Sequence, residues 1–426
     1  MNVALRAAYA TAGTLAEWAA AAARTGDGKM AASLVGRRGV LERFAAWGEA
    51  HRDPERPLVW LHAPSVGEGL QARPVIDLLR RHRPDAQVVY THFSSSAAAF
   101  ASRVGADYAD YLPFDTRRGA RAVMNAIRPS ALVFSKLDVW PVLVDEAVRR
   151  NVPVAMIAAT LAEGSARRSA FARALLTDAY ASMRAVGAVD EADAARLVTL
   201  GVDRARVQVT GDTRYDQVWA RAQSVDRAST LIGPLVSPRP TLVAGSTWPS
   251  DEQVLEDAWR HLRTTVPTAR LIIAPHETTE AHLAAIEAWT ARAGLRTARL
   301  GAPNAGVADV VVVDRVGVLG DLYALADVAY VGGGFHSAGL HSVIEPAAFG
   351  APVLFGPRCT DSRDAGLLIV ARGGRTVANA QELGDSLAGW LATATTRIEA
   401  GERAREMVRA GTGAAERSYE LVRALL

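Results

Sequence analysis

Residues 330–357 read Tyr330-Val-Gly-Gly-Gly-Phe-His-Ser-Ala-Gly-Leu-His-Ser-Val-Ile-Glu345-Pro-Ala-Ala-Phe-Gly350-Ala-Pro-Val-Leu-Phe-Gly-Pro357. A strand over 327–331 ends in three glycines, a loop crosses to a helix start, and that helix carries Glu345-Pro346 before a second strand begins at Pro352. Glycine lets the backbone approach a ligand closely, and a helix N-terminus offers unpaired N–H groups and a positive dipole end to phosphate. The stretch is a candidate cradle for a nucleotide mono- or diphosphate, with an ordinary tight turn of an α/β protein as the alternative. Glu345 favours the cradle, because an acid on the following helix can accept both hydroxyls of a ribose.

Working outward, the same alternation of short apolar runs and longer helical patterns fills the chain. Leu58–Ala63, Gln87–Thr91, Ala131–Phe134 and Val154–Ala158 read as strands, with helical patterns at 70–82, 117–127 and 139–150. The rhythm lapses over 217–239, a proline-rich stretch that reads as a linker, and restarts with strands at Thr241–Ala244 and Arg270–Ala274. Such repetition predicts an α/β fold of two Rossmann-like, doubly wound parallel-sheet domains, whose strand C-terminal edges face a ligand-binding cleft. The expected division is 1–30 as an N-terminal apolar helix, 31–216 as an acceptor-binding domain, 217–239 as the linker, 240–400 as the nucleotide-binding domain, and 401–426 as a C-terminal helix crossing back to the first domain.

Composition narrows the function classes. At 426 residues the chain exceeds a single core, and 50% hydrophobic with 22% charged residues is a globular balance rather than a disordered one. Net charge is +3 and lysine occurs only at 29 and 136, so no basic run points to a nucleic-acid partner. Cys359 is the sole cysteine, which excludes an internal disulfide and a thiolate-rich metal site and fits a reducing compartment. Residues 3–23 are apolar and alanine-rich, interrupted by Arg6 and Glu17, too weak for a spanning helix. They can lie in a membrane interface with Tyr9 and Trp18 as anchors, or pack on the domain.

Chemistry-bearing residues gather at predicted strand ends. In Ala63-Pro-Ser65-Val-Gly67-Glu68, Gly67 permits a tight strand-to-helix turn and Glu68 lands at the helix start, either as a general base or as a complement to the helix dipole. Lys136 and Asp138 follow the next strand at alternating positions, which puts them on one face as a candidate ion pair. Arg167 and Arg168 can hold an anionic acceptor or be solvated surface, and Arg214 precedes the linker. In the second half, Gly245-Ser246-Thr247 ends a strand before a helix-start signal, and Pro275-His276 ends the next. Together with Gly332, Gly333, Gly334, Gly339, His341, Ser342 and Glu345 they form the candidate donor-binding set. No Asp-x-Asp pair, phosphate-loop motif or His-Glu-x-x-His helix occurs, so neither a metal nor another cofactor is expected.

Ser65-Val-Gly-Glu68, Tyr111-Leu-Pro-Phe-Asp115, Trp140-Pro141, Gly211-Asp-Thr-Arg214, Ala274-Pro-His-Glu277 and Gly332–Pro357, in this order and spacing, resemble the Kdo transferases, which attach 3-deoxy-manno-octulosonic acid (Kdo) to a lipid A precursor in lipopolysaccharide assembly. The likeness runs from Gly28-Lys29 to about Arg363. It implies a GT-B fold, an inverting, metal-independent reaction with CMP-Kdo as donor and a lipid A precursor as acceptor, and a place at the cytoplasmic face of the bacterial inner membrane. By position, Glu68 would be the base, Glu345 would hold the ribose, and the Gly332–Gly334 turn with the Gly339–Ser342 loop would cradle the CMP phosphate. Three places depart from the family pattern. Many members have Pro-Arg-His for Pro275-His276-Glu277, Asn for Ser342, and Glu-x-Glu for Lys136-Leu-Asp138. Another nucleotide sugar, as in a UDP-sugar epimerase or transferase, and a non-catalytic sugar-nucleotide binding protein are the competing expectations.

Overall fold

The computed structural model describes residues 3–22 and 28–426, so positions 1, 2 and 23–27 of the expected N-terminal segment lie outside the described residues. The chain divides into two compact units, Met1–Gln217 with Thr412–Leu426, and Val218–Gly411. Each is built on a seven-stranded parallel sheet.

In the first unit the strands are β1 (Leu58–His62), β2 (Gln87–His92), β3 (Tyr108–Tyr111), β4 (Ala131–Ser135), β5 (Val154–Ala159), β6 (Ala185–Ala188) and β7 (Val207–Val209). Their spatial order is β3-β2-β1-β4-β5-β6-β7. Helices cover both faces, so the inner strands are continuous apolar runs: β1, β2, β4 and β5 are buried at every position, whereas β3 is half-buried at the edge. Phe44, Trp60, Phe134 and Met156 fill one side of the sheet. Leu61, Ile76, Tyr90 and Val133 fill the other, with Tyr419 and Val422 of the C-terminal helix Ala414–Arg423. Asp216 accepts the N–H groups of Gly413 and Ala415 at 2.6 and 2.9 Å and fixes the start of that helix.

The second unit contains β8 (Thr241–Thr247), β9 (Arg270–Pro275), β10 (Thr297–Arg299), β11 (Val310–Val312), β12 (Val328–Val331), β13 (Val353–Phe355) and β14 (Gly374–Thr376), in the order β10-β11-β9-β8-β12-β13-β14. Trp259, Ile273, Tyr330 and Leu387 pack on one face, and Val243, Ile272, Val311 and Tyr323 on the other.

Two expectations change, and the N-terminal helix shows one of its two expected courses. The stretch 217–239 is not a free linker: Val218 onward belongs to the second unit, and Leu235 is buried in the cluster of Val243 and Ile272, so its apolar residues hold it down. The helical C-terminal region is two helices, Ala394–Ala410 and Ala414–Arg423, because Gly413 takes φ +84° and breaks the run. The first lies in the second unit, the other in the first. Finally, the N-terminal helix Val3–Ala22 turns Tyr9 inward, where its hydroxyl donates to Asp115 Oδ2 at 2.9 Å, while Trp18 stays 69% exposed. Among the described residues no helix is long and apolar enough to cross a membrane.

Candidate functional site

Both sheets reverse their winding direction beside their first strand. In the first unit the chain goes from β1 outward to β2 and β3, then returns to β4 on the opposite side, so the connections leaving the paired strands β1 and β4 run in opposite directions. Ligands of open α/β sheets bind at such switch points.

The turn leaving β1 is pinned by Phe93 and Ser94, whose N–H groups donate to Pro64 O at 3.0 and 2.8 Å. The helix then starts at Val66, one turn earlier than the sequence pattern suggests, which places Glu68 within its first turn. Ser65 is the N-cap residue, so Gly67 is a helical position rather than the turn itself. A Cβ there would meet only Ser65 Oγ, at 3.7 Å, and its lack of a side chain leaves this end of the helix open. Ser65-x-x-Glu68 has the spacing of a capping box, but Ser65 makes no side-chain cap. Its hydroxyl donates to Glu68 Oε2 instead, and Lys136 Nζ lies 3.3 Å from Oε1. Glu68 is thereby held at the switch point with 18% of its side chain exposed.

Lys136 and Asp138 do not pair with each other. The strand ends at Ser135, and Lys136 adopts φ +65°, a left-handed conformation that destroys the expected alternation. Asp138 instead meets Arg167 Nη2 at 3.1 Å, and Trp140 Nε1 sits 3.2 Å from both Asp138 Oδ2 and His62 Nε2. Burial pushes the Asp138 carboxyl up, but the His62 hydrogen bond and the charges of His62 and Arg167 outweigh it and hold it below the ordinary value. Arg168 turns away to the carbonyl of Glu163. Arg214 forks onto Asp212 at 2.7 and 2.9 Å, and Asp212 also accepts from Gln71 of the Glu68 helix at 3.2 Å. Arg214 thereby holds Asp212, and through it Gln71 of the Glu68 helix, in place. His62 and its partner Thr91, 3.0 Å away, escaped the sequence reading; the only signal was a histidine closing an apolar strand.

In the second unit the switch point lies between β8 and β12. Here the triple glycine has a different role from the one its sequence suggests. Gly332 N donates to Gly245 O at 2.9 Å, Gly333 N to Asp251 Oδ2 at 2.8 Å, and Phe335 N to Asp251 Oδ1 at 3.2 Å. These N–H groups are taken up inside the protein and are not presented to a phosphate. A Cβ on Gly332 would lie 2.6 Å from Thr247 Cα, and one on Gly334 would lie 2.6 Å from Gly356 Cα. The glycines are required for strand ends to meet backbone to backbone. Asp251, fully buried, also accepts the Tyr330 hydroxyl at 2.9 Å and Trp248 N at 3.0 Å. One carboxylate thus folds the whole loop, a long-range role invisible in a local helix-start motif.

The open part of the loop lies further on. Gly339 has φ +87° and nothing within 4 Å of a built Cβ, and the backbone N–H groups of Ser342, Val343 and Ile344 have no acceptor among the described residues. Glu345 begins the next helical turn, half-buried, close enough for its charge to add to burial in raising the Tyr323 hydroxyl well above its ordinary value. Around this segment stands an aromatic cluster. Trp248 stacks with His336 and His276 at centroid distances of 4.0 and 4.4 Å, and its Nε1 donates to His341 Nε2 at 3.2 Å. Burial first, then the neighbouring His276 and His336, hold His341 below the ordinary histidine value. Ser246 takes φ +54° at a bulge where β8 pairs with β9. Thr247 points inward and donates to Glu252 at 2.7 Å, so it supports the strand end. Pro275 is buried and His276 exposed, which leaves the histidine as the accessible member of that pair. Trp248 and His336 are the site members that the sequence reading did not single out.

Residues 38–217 match the family model for 3-deoxy-D-manno-octulosonic-acid transferase (kdotransferase). The chain is 25% identical over 398 residues to a 3-deoxy-D-manno-octulosonic acid transferase of Haemophilus influenzae, covering 92% of each chain. It is 29% identical over 392 residues to one of Bordetella pertussis, covering 89% of this chain and 90% of that one. In fold it resembles a putative UDP-N-acetylglucosamine 2-epimerase from Listeria monocytogenes (TM-score 0.63, 13% identity, 87% of this chain and 96% of that one). It also resembles the UDP-GlcNAc 2-epimerase of Neisseria meningitidis bound to UDP-GlcNAc (TM-score 0.61, 16% identity, 86% and 99%). These structural likenesses establish the two-sheet GT-B architecture.

Proposed function

Because this chain belongs to the Kdo transferase family, a family of glycosyltransferases of lipopolysaccharide biosynthesis, we propose that it transfers Kdo from CMP-Kdo to a lipid A precursor with inversion and without a metal. The observation that carries the catalytic part of this reading is Glu68. It is a carboxylate at the switch point of the unit that matches the family model, held by Ser65 and Lys136 rather than used as a helix cap. In that position Glu68 takes the proton from an acceptor hydroxyl as the oxygen attacks the anomeric carbon of Kdo, and CMP leaves from the opposite face. The second unit binds the donor. The N–H groups of Ser342, Val343 and Ile344 meet the CMP phosphate, where negative charge grows as the bond breaks, and Glu345 accepts the ribose hydroxyls. Asp251 keeps that loop in shape without touching the donor. The acceptor is lipidic, and the helix Val3–Ala22 with its exposed Trp18 suits attachment to the cytoplasmic face of the inner membrane.

The test is mass spectrometry of a tetra-acylated lipid A precursor incubated with the full-length protein and CMP-Kdo. The expected product is heavier by one or more Kdo units. An unchanged acceptor, together with tighter calorimetric binding of UDP than of CMP, would reject the assignment.

A further inference from the structure

We propose that Lys136 is a positioning residue for Glu68, holding the carboxylate aimed across the β1/β4 switch point. This rests on the reading of Glu68 as the base and adds the residue that fixes where its carboxylate stands.

Two independent features support it. The first is contact: Lys136 Nζ is 3.3 Å from Glu68 Oε1, while Ser65 occupies Oε2. The second is backbone. Lys136 is a non-glycine residue at φ +65°, a conformation that persists only where its surroundings enforce it. The surroundings do so from both sides, since Lys136 N donates to Ile157 O at 2.9 Å and the next residue, Leu137, is buried in the core with 6% exposure. The left-handed turn is what redirects the ammonium from the face of Asp138 to the carboxylate on the neighbouring helix.

The groups facing Glu68 make Lys136 its cationic partner. Ser65 belongs to its own helix start, and from β2 the buried Tyr90 hydroxyl, raised above its ordinary value by burial and then by the Glu68 charge, is neutral. Farther along the turn, Asp138 is already engaged by Arg167 and by His62 and Trp140. The ammonium is 43% exposed, so water screens the pair, and its part is to orient the carboxylate rather than to stabilise the fold.

The experiment compares full-length wild type with Lys136→Met, Lys136→Gly and Lys136→Arg, using CMP-Kdo and a tetra-acylated lipid A precursor. The readout is kcat and the acceptor KM, measured separately, with a thermal melt of each variant. Met and Gly are expected to lower kcat by about 10-fold or more with the acceptor KM changed little, and Arg to restore most of it. Glycine suits the left-handed backbone, so Lys136→Gly melts no lower than wild type and decides the matter should Met perturb folding. Wild-type kcat in both Met and Gly variants, with Glu68→Gln inactive, overturns the role of Lys136 and leaves the base in place. Wild-type turnover in Glu68→Gln overturns both.

Discussion

The two switch points share one topology and use their carboxylates in opposite ways. At β1/β4, Glu68 sits in the first turn of a helix and keeps 18% of its side chain in solvent, with a cation and a hydroxyl as partners. At β8/β12, Asp251 occupies the first turn of the corresponding helix, Pro249–Thr265, but is fully buried and accepts four donors. The same secondary-structure position thus yields a solvent-reached acid in one unit and a structural one in the other. The difference lies in what approaches from the next strand. Lys136 comes from a turn beyond β4 and stays partly wet, whereas the glycine loop beyond β12 closes over Asp251 and excludes water.

Removing each acid is the most direct way to break this contrast. Glu68→Gln is expected to lower turnover by about 10²–10⁴, the usual range for a general base, with a change in stability within about 0.5 kcal/mol. Kinetics and a thermal melt on the same preparation check both halves. A fall in Tm as large as that of a core variant would show that Glu68 is structural after all. Asp251→Ala is expected to do the reverse in origin, stranding four donors at once. The cost is at least about 3 kcal/mol, read as a lower urea midpoint, and CMP binding weakens with it. Unaltered stability in that variant would mean that the loop does not depend on its buried carboxylate.

Asp115 extends the contrast by adding a buried acid to the first unit. It accepts the N–H groups of Val142 and Leu143 at 3.0 and 2.8 Å and the Tyr9 hydroxyl. Burial nonetheless pushes it up to about 6 from 3.8, because the hydrogen bonds only partly offset desolvation. An acid whose folded value is raised binds its proton more tightly in the native state, so its contribution is present at low pH and is lost as pH rises from about 4 to about 6. The stability difference between wild type and Asp115→Asn should therefore shift by about 3 kcal/mol in favour of the variant across that window, measured by urea denaturation at several pH values. A difference independent of pH would place the carboxyl in a wetter site.

How much of this could be read from the chain depends on the range of the interaction. The strand and helix alternation was legible because parallel strands buried on both faces must be continuous apolar runs, and the helix Arg117–Ile127 lies where its pattern predicts. Glu68 was legible because a polar residue just after a buried strand has few alternatives to the sheet edge. Its partner was not, since the φ of Lys136 is enforced by Ile157 and Leu137, neither of which marks the turn in the sequence. The glycine triplet showed where the backbone is crowded but not by what. Only the approach of Gly245, Thr247, Gly356 and Asp251, from 80 residues or so before to 20 after, explains it.

The smallest effect expected concerns the aromatic cluster that distinguishes the second switch point from the charged first one. Trp248 Nε1 donates to His341 Nε2, which requires that nitrogen to be unprotonated and, in the neutral ring, assigns the proton to Nδ1. Burial and two neighbouring histidines favour the same neutral state. A histidine held below its ordinary value destabilises the fold only as pH drops below about 6.5, the opposite direction to Asp115. Trp248→Phe keeps an aromatic surface against His276 and His336 but deletes the donor, a loss of about 1 kcal/mol. The affinity for CMP should fall by roughly 5-fold, with no change in the acceptor's KM. Calorimetry with CMP and acceptor kinetics measure the two separately. A change confined to the acceptor would mean that the cluster serves the acceptor, and the division of labour between the two switch points would have to be redrawn.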